Sequence, residues 1–276
     1  MDRAGQRLQL AEDGYTLLPN ILSSEMLERA RQVSNEVLEA QDRDHFERQR
    51  STGSLIGVQT HPWFAELVAW TSALQALKDL GFADPRFTSG FVISKPPHSP
   101  PLFWHQDWYG WNEPCSYTEP TLQVFLMYYL VDTTPDNGCL RVLRGSHRHR
   151  HEMHDLVPEA HTETLQRATD PSHPAFHPIP EDTAVPVTAG DLVVGDARLL
   201  HGAYANNSDH RRTVLTLWFH RWERYPEPLR AHMAGEGNMV GQWPPEARAR
   251  IEGLIPDYTG HAEPIIQNRV PGPDFG

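Results

Sequence analysis

The sequence predicts a mainly β fold with flanking helices, its core a two-sheet jelly roll of the double-stranded β-helix kind. Three observations predict it. Two segments with the apolar period of helices come first, many short strand-like segments broken by Gly, Pro and Asn turn signals follow, and no segment repeats. With 276 residues, 39% of them hydrophobic, the chain can fill one core at a size that all-β barrels reach as a single unit. The reading is therefore one domain over 1–276, with helices in 23–80, the jelly-roll core over about 87–222 and an extension over 223–276.

In chain order, GYTLLP (14–19) alternates and stops at Pro19, as a short strand does. Ser23 or Ser24 caps a helix whose apolar face is Met26, Ala30, Val33 and Val37. The charged run DRDHFERQR is a solvated helix end or loop. A second helix over 62–80 carries Trp63, Leu67, Trp70, Leu74 and Leu77 at intervals of three and four, with Gly81 as its left-handed cap. Strands follow at 87–94, 122–131, 139–143, 185–187, 191–194 and 212–219, with KPPHSPP a loop because proline removes donors. TTPDNG before CLRVL reads as the turn of a hairpin. The segment from Val157 to Val185 is loop with one helical turn near Thr162 to Arg167, and a helix lies between Pro245 and Leu254.

Composition narrows the function. A net charge of -12 offers no basic surface for phosphates, so the expected partner is a small-molecule substrate and not nucleic acid. No apolar run approaches the length of a membrane span, and the longest, Val124 to Val131, is strand-sized. Two cysteines, Cys115 and Cys139, make no disulfide framework, and the N-terminus lacks the pattern of a secretory or transit signal, so the expected location is the cytoplasm. Composition carries no signal of oligomeric state.

The most chemically loaded stretch is FWHQDWYGWN, residues 103–112. If residues 103–109 are extended, His105 and Asp107 share one face, because side chains alternate with period two. An isolated H-x-D is ordinarily a strand histidine beside a surface aspartate. Here it is joined by His201, just after an apolar run, and by Arg212 at the head of an alternating segment. Two histidines and one carboxylate leave three positions open on one face, the ligand set of non-haem Fe(II) oxygenases. Arg212 offers a planar fork for a carboxylate and keeps phase with Val214, Thr216 and Trp218, whereas Arg211 faces the other way.

HQD in its aromatic run, SKPP upstream, DTTPDNGCLRVLRGSH and HGAYANNSDHRRTVLTL together resemble the phytanoyl-CoA dioxygenase family of Fe(II)- and 2-oxoglutarate-dependent oxygenases. The resemblance runs from GYTLLPNILSSEMLERAR to Phe219. It implies that His105, Asp107 and His201 are iron ligands and that Arg212 pairs with the distal carboxylate of 2-oxoglutarate. It also implies that Phe91 and Met127 line the cosubstrate pocket. Gln123, on the Met127 face, is a donor to cosubstrate or substrate, and Gln106 points away. Several members carry a serine where this chain has Ala203, so one hydrogen bond to the cosubstrate is either missing or supplied elsewhere, with Tyr204 and Thr213 as candidates.

The implied reaction uses Fe(II), 2-oxoglutarate and O2, releases succinate and CO2, and hydroxylates an unactivated C–H bond. Asp107 favours hydroxylation, since related halogenases have Ala or Gly there. Metal occupancy is expected to fall below roughly pH 6 as His105 and His201 protonate. Trp108 or Trp111 reads as a wall of the substrate cavity, and Arg198 either as a solvated arginine or as the partner of an anionic substrate group. HRHRHEMH (147–154) lacks the helical spacing of zinc proteases and reads as a solvated loop. Two competing readings use the same residues: a zinc hydrolase, working without oxygen or succinate, and a non-catalytic binding protein on the same scaffold.

Overall fold

The computed structural model describes residues 2–118, 120–157, 160–273 and 275–276, without the side chains of 237 and 238. Ten strands form among them: β1 (Tyr15–Leu18), β2 (Ile56–Gly57), β3 (Pro85–Lys95), β4 (Leu102–His105), β5 (Gln123–Tyr129), β6 (Leu140–Val142), β7 (Thr183–Val185), β8 (Leu192–Asp196), β9 (His201–Ala203) and β10 (Arg212–Arg221). They make a six-stranded sheet, β1-β8-β5-β10-β3-β2, facing a four-stranded sheet, β4-β9-β6-β7. All pairings between these strands are antiparallel. Phe125, Met127, Val193 and Val214 of the larger sheet pack on Leu140, Val142 and Val185 of the smaller one. The predicted jelly roll is the observed architecture.

The outer face of the larger sheet is apolar too, with Val92, Leu126, Val194, Leu215 and Leu217 buried, so it needs a cover. Helix α2 (Ser24–Glu39) supplies part of it through Met26, Ala30, Val33 and Val37. Met26, Val33 and Val37, fully buried, each stabilise the fold by roughly 1.5–3 kcal/mol, and the Ala30 methyl by less. Ser23 caps α2 as predicted, its hydroxyl accepting from the Met26 N–H at 3.1 Å.

Several elements differ from expectation. A helix α1 (Arg3–Asp13) precedes β1, capped by the Asp2 carboxylate and ended by Gly14 at φ 84°. The charged run forms α3 (Arg43–Arg48) with Asp42 as its cap. The helix expected over 62–80 is two, α4 (Phe64–Val68) and α5 (Thr71–Asp79), separated where the Trp70 indole N–H donates to the Ile21 carbonyl at 2.8 Å. Short helices α6 (Met153–Leu156) and α7 (Glu163–Arg167) follow β6, and α8 (Glu227–Glu236) and α9 (Pro245–Ile251) follow β10.

TTPDNG turns the chain, with Gly138 in the left-handed region at φ 85°, but it closes no hairpin. β5 stays in the larger sheet between β8 and β10, while β6 crosses to the smaller sheet and pairs with β7 and β9. No helix among the described residues is long and apolar enough to cross a membrane.

Nor is HRHRHEMH a solvated loop, because His147 and His154 are buried. Burial pushes the His154 pKa down to about 4, and the wholly enclosed His220, held by Thr88 and Tyr225 at 2.7 Å each, down to about 3. In the unfolded chain both titrate near 6.5. The unfolded state therefore binds more protons as pH falls below about 6.5, and stability present at neutral pH is lost toward pH 4. At pH 5 these two rings cost about 2 kcal/mol each. The melting temperature should fall by about 7 °C between pH 7.5 and pH 5. A calorimetric scan showing no change would contradict this account of the two rings.

Candidate metal centre and its pocket

Backbone pairing brings the two histidines together. His105 ends β4, His201 begins β9, and they are register partners with ring centroids 4.2 Å apart. The strand stops at His105, so Asp107 is not its period-two neighbour. Instead the Asp107 and Trp108 N–H groups both donate to the Ala197 carbonyl, at 2.8 and 2.9 Å, and this turn swings the carboxylate back toward the imidazoles. Asp107 Oδ1 lies 3.7 Å from His105 Nε2, and Oδ2 lies 3.9 Å from His201 Nε2.

Both rings are oriented by the backbone. His105 Nδ1 is 3.0 Å from the Phe103 carbonyl and His201 Nδ1 is 3.0 Å from that of Leu199. A carbonyl accepts only from an N–H, so each Nε2 is left with its lone pair toward Asp107. Phe125 packs on His201 at 4.7 Å, and its ring fits because residue 195 is glycine, where a Cβ would stand 2.1 Å from it. Burial, with the nearby His201 and His161, pulls the His105 pKa well below its ordinary value. If His105 holds a metal, proton competition at its ring would therefore start lower than the sequence expectation of about pH 6.

Trp218, missed in the sequence, donates its indole N–H to Asp107 Oδ2 at 2.9 Å. It sits on β10 in phase with Arg212, Val214 and Thr216, so the alternation that selected Arg212 selects Trp218 as well. Fixing a ligand carboxylate in this way is worth about tenfold or more in metal affinity. Trp218→Phe should lower Co(II) affinity by that factor with little change in melting temperature, and an unchanged titration would remove this role.

Arg212, at the other end of that face, is 3% exposed and pairs in register with Lys95. Its Nε has no hydrogen-bond partner among the described residues, and no carboxylate there lies within ion-pair distance. Thr216 Oγ1, four residues on and facing the same way, is likewise buried and unpartnered. Orphaned buried polar groups of this kind ordinarily have a partner, and a guanidinium beside a hydroxyl is the donor set for a carboxylate. Register places Phe91 and Met127 either side of Thr216, between Arg212 and Trp218. Tyr204 and Thr213 do not substitute for the serine absent at Ala203. The Tyr204 hydroxyl donates to Asp182, and Thr213, one residue out of phase with Arg212, bonds Ser94 on the opposite face.

A cavity of about 490 Å3 opens beside Asp107. Phe91, Gln123, Trp218, Tyr109, Glu236 and Arg269 are among its walls, and the Gln123 Oε1 atom has no protein partner among the described residues. Trp108 and Trp111 are not among its walls. Trp108 is 1% exposed and donates to Ser116 Oγ, and Trp111 donates to Gln106 Oε1 and packs on Phe275, so both belong to the core behind the loop. Arg198 is committed elsewhere too, in a buried pair with Asp196 at 2.7 Å and in hydrogen bonds to the Ser116 and Thr118 carbonyls. Gln106 points away, its amide N–H donating to the Arg269 carbonyl at 2.7 Å.

Three groups come from segments with no readable period. Arg269, near the C-terminus, donates to the Asp107 carbonyl at 3.0 Å and lies over the Tyr109 ring. Glu236, from α8, accepts from the Tyr109 hydroxyl at 2.7 Å, and its pKa is lowered by hydrogen bonds from His232 and Tyr109 against the opposing effect of burial. His161 joins His105 and Asp107 in a cluster whose donor atoms all lie within 4.8 Å of one another.

Known proteins resemble this chain over most of its length. The model of the family described as phytanoyl-CoA dioxygenase (PhyH) matches residues 10–214. A probable alpha-ketoglutarate-dependent hypophosphite dioxygenase of Stutzerimonas stutzeri is 23% identical over 244 residues, covering 81% of this chain and 80% of that protein. Among solved structures, HygX from Streptomyces hygroscopicus, with nickel and 2-oxoglutarate bound, is 19% identical with a TM-score of 0.59 over 78% of this chain and 86% of its own. The epimerase SnoN, in complex with Fe3+, alpha ketoglutarate and nogalamycin RO, is 16% identical with a TM-score of 0.59 over 99% and 96%. The family match spans most of the jelly roll and all three converging residues, and the chain belongs to the phytanoyl-CoA dioxygenase family of iron- and 2-oxoglutarate-dependent oxygenases.

Proposed function

We propose that the enzyme hydroxylates an unactivated C–H bond of a small or medium organic substrate, with His105, Asp107 and His201 holding Fe(II) and Arg212 gripping 2-oxoglutarate. The observation that carries the reading is the pair of orphaned groups, Arg212 Nε and Thr216 Oγ1, on the strand face that also presents Trp218 to Asp107. A zinc hydrolase would have no use for this carboxylate cradle. A non-catalytic binding protein would have no need of two imidazoles turned by the backbone toward one carboxylate.

When bound, the iron would let O2, the oxidant, oxidise both 2-oxoglutarate, which leaves as succinate and CO2, and the substrate C–H bond, one oxygen atom going to each. The chain's own part is to bind and position. Arg212 forms a two-pronged bond with the distal carboxylate, and Thr216 donates the hydrogen bond that Ala203 cannot. Phe91 and Met127 exclude water from the cosubstrate, and Gln123 presents its amide where cosubstrate and substrate meet. Hydroxylation is preferred to halogenation because Asp107 occupies the position a halide would need. SnoN is an epimerase, so a similar fold supports another outcome in that protein.

The packing of Phe275 on Trp111 supports reading 1–276 as one domain, and the free thiols Cys115 and Cys139 suit a cytoplasmic location. Anaerobic addition of 2-oxoglutarate to the Fe(II)-loaded protein should raise a weak visible charge-transfer band, and a screen of candidate substrates should then release succinate. Absence of both would sink the reading.

A further inference from the structure

We propose that His161 is a fourth protein ligand to the metal, bound before cosubstrate and substrate arrive; this rests on the reading of His105, Asp107 and His201 above. His161 lies just ahead of α7 and stands edge-on to His105, with ring centroids 5.1 Å apart and an interplanar angle of 84°. Phe103 flanks it at 5.9 Å. Like His105 and His201, it is tied to the backbone, here through a hydrogen bond with Gln106. One nitrogen of His161, one of His105 and one oxygen of Asp107 lie within 4.8 Å of one another. Donors around one ion, at bond lengths of about 2.1 Å, stand roughly 3 to 4.2 Å apart, so a shift on the order of an ångström brings all three into reach.

The four ligands differ in what holds them. His105, Asp107 and His201 are buried, two of them in strands, whereas His161 is exposed and belongs to no strand or helix. It also lines the cavity beside Asp107. Two histidines and a carboxylate leave three positions open on a bound ion. With His161 in one and the cosubstrate in the other two, the ion would have no free position until a ligand entering that cavity displaced the exposed His161.

The test counts imidazoles directly. Cu(II)-loaded full-length protein without 2-oxoglutarate should show nitrogen superhyperfine splitting from three imidazoles by electron paramagnetic resonance, and His161→Ala should show two. The same substitution should weaken Co(II) binding by about tenfold. Because His161 is exposed, the variant should melt with the wild type, and His161→Asn provides a second variant of closer size. Equal nitrogen counts and equal Co(II) affinity in wild type and both variants overturn the proposal. Loss of a nitrogen in His161→Ala but not in His201→Ala would keep His161 as a ligand and remove His201, failing the earlier assignment and not this one.

Discussion

Replacing Arg212 with methionine is expected to raise the KM for 2-oxoglutarate by about 100- to 1000-fold while leaving the melting temperature of the ligand-free protein unchanged or higher. The two halves come from the same fact. Without ligand, the guanidinium is buried with its Nε unsatisfied and no carboxylate in ion-pair reach among the described residues, and burial lowers its pKa. A cation so placed costs the free protein desolvation energy that nothing there offsets. Methionine removes that cost and fills the volume. On the proposed reading the bound cosubstrate gives the guanidinium its carboxylate, and removing one partner of such a buried pair costs about 3–4 kcal/mol, equivalent to 100- to 1000-fold. Arg212→Lys should fall between, since it keeps the charge but loses the planar fork. Addition of 2-oxoglutarate should raise the melting temperature of the metal-loaded wild type and not that of the methionine variant. A KM within threefold of wild type would show that the distal carboxylate is held elsewhere.

What the sequence disclosed about this site follows from how local each signal is. Arg212 was legible because β10 is a long, regular strand whose alternation assigns a face to every residue, and the same alternation puts Thr216 and Trp218, neither singled out from the sequence, on its face. Asp107 lay in the right place for a different reason from the one its spacing suggests. The strand ends at His105, and a shared hydrogen bond to Ala197, ninety residues downstream, returns the carboxylate to the imidazoles. The crossing of β6 was hidden for the same reason. TTPDNG encodes a reversal, but the strand it delivers is chosen by β9, some sixty residues away. Aromatic density around the motif does not separate core from cavity wall, so Trp108 and Trp111 read alike with Tyr109, and only Tyr109 faces the cavity. His161, Glu236 and Arg269 reach the pocket from a loop, a late helix and the C-terminal tail, and no period links them to the motif.

The carboxylate of Asp107 can separate the proposed ligation from folding, because its charge and its hydrogen bond to the fold can be removed one at a time. Oδ2 accepts the Trp218 indole N–H, while the carboxylate as a whole is the anionic member of a cluster that otherwise holds imidazoles. Asparagine can still accept from Trp218 but carries no charge, and Arg269, bonded to the Asp107 carbonyl, adds positive potential that the carboxylate otherwise balances. Asp107→Asn should therefore melt within a few degrees of wild type yet lose at least about 100-fold in Co(II) affinity, equivalent to about 2.7 kcal/mol, and release no succinate. Asp107→Ala should lose the metal equally and the indole's partner as well, at a further cost of about 1–3 kcal/mol to stability. Calorimetric Co(II) titration alongside thermal melts of both variants reads the two effects independently. Retention of metal by the asparagine variant would mean that neutral donors suffice here, and would return Asp107 to the role of an anchor for Trp218.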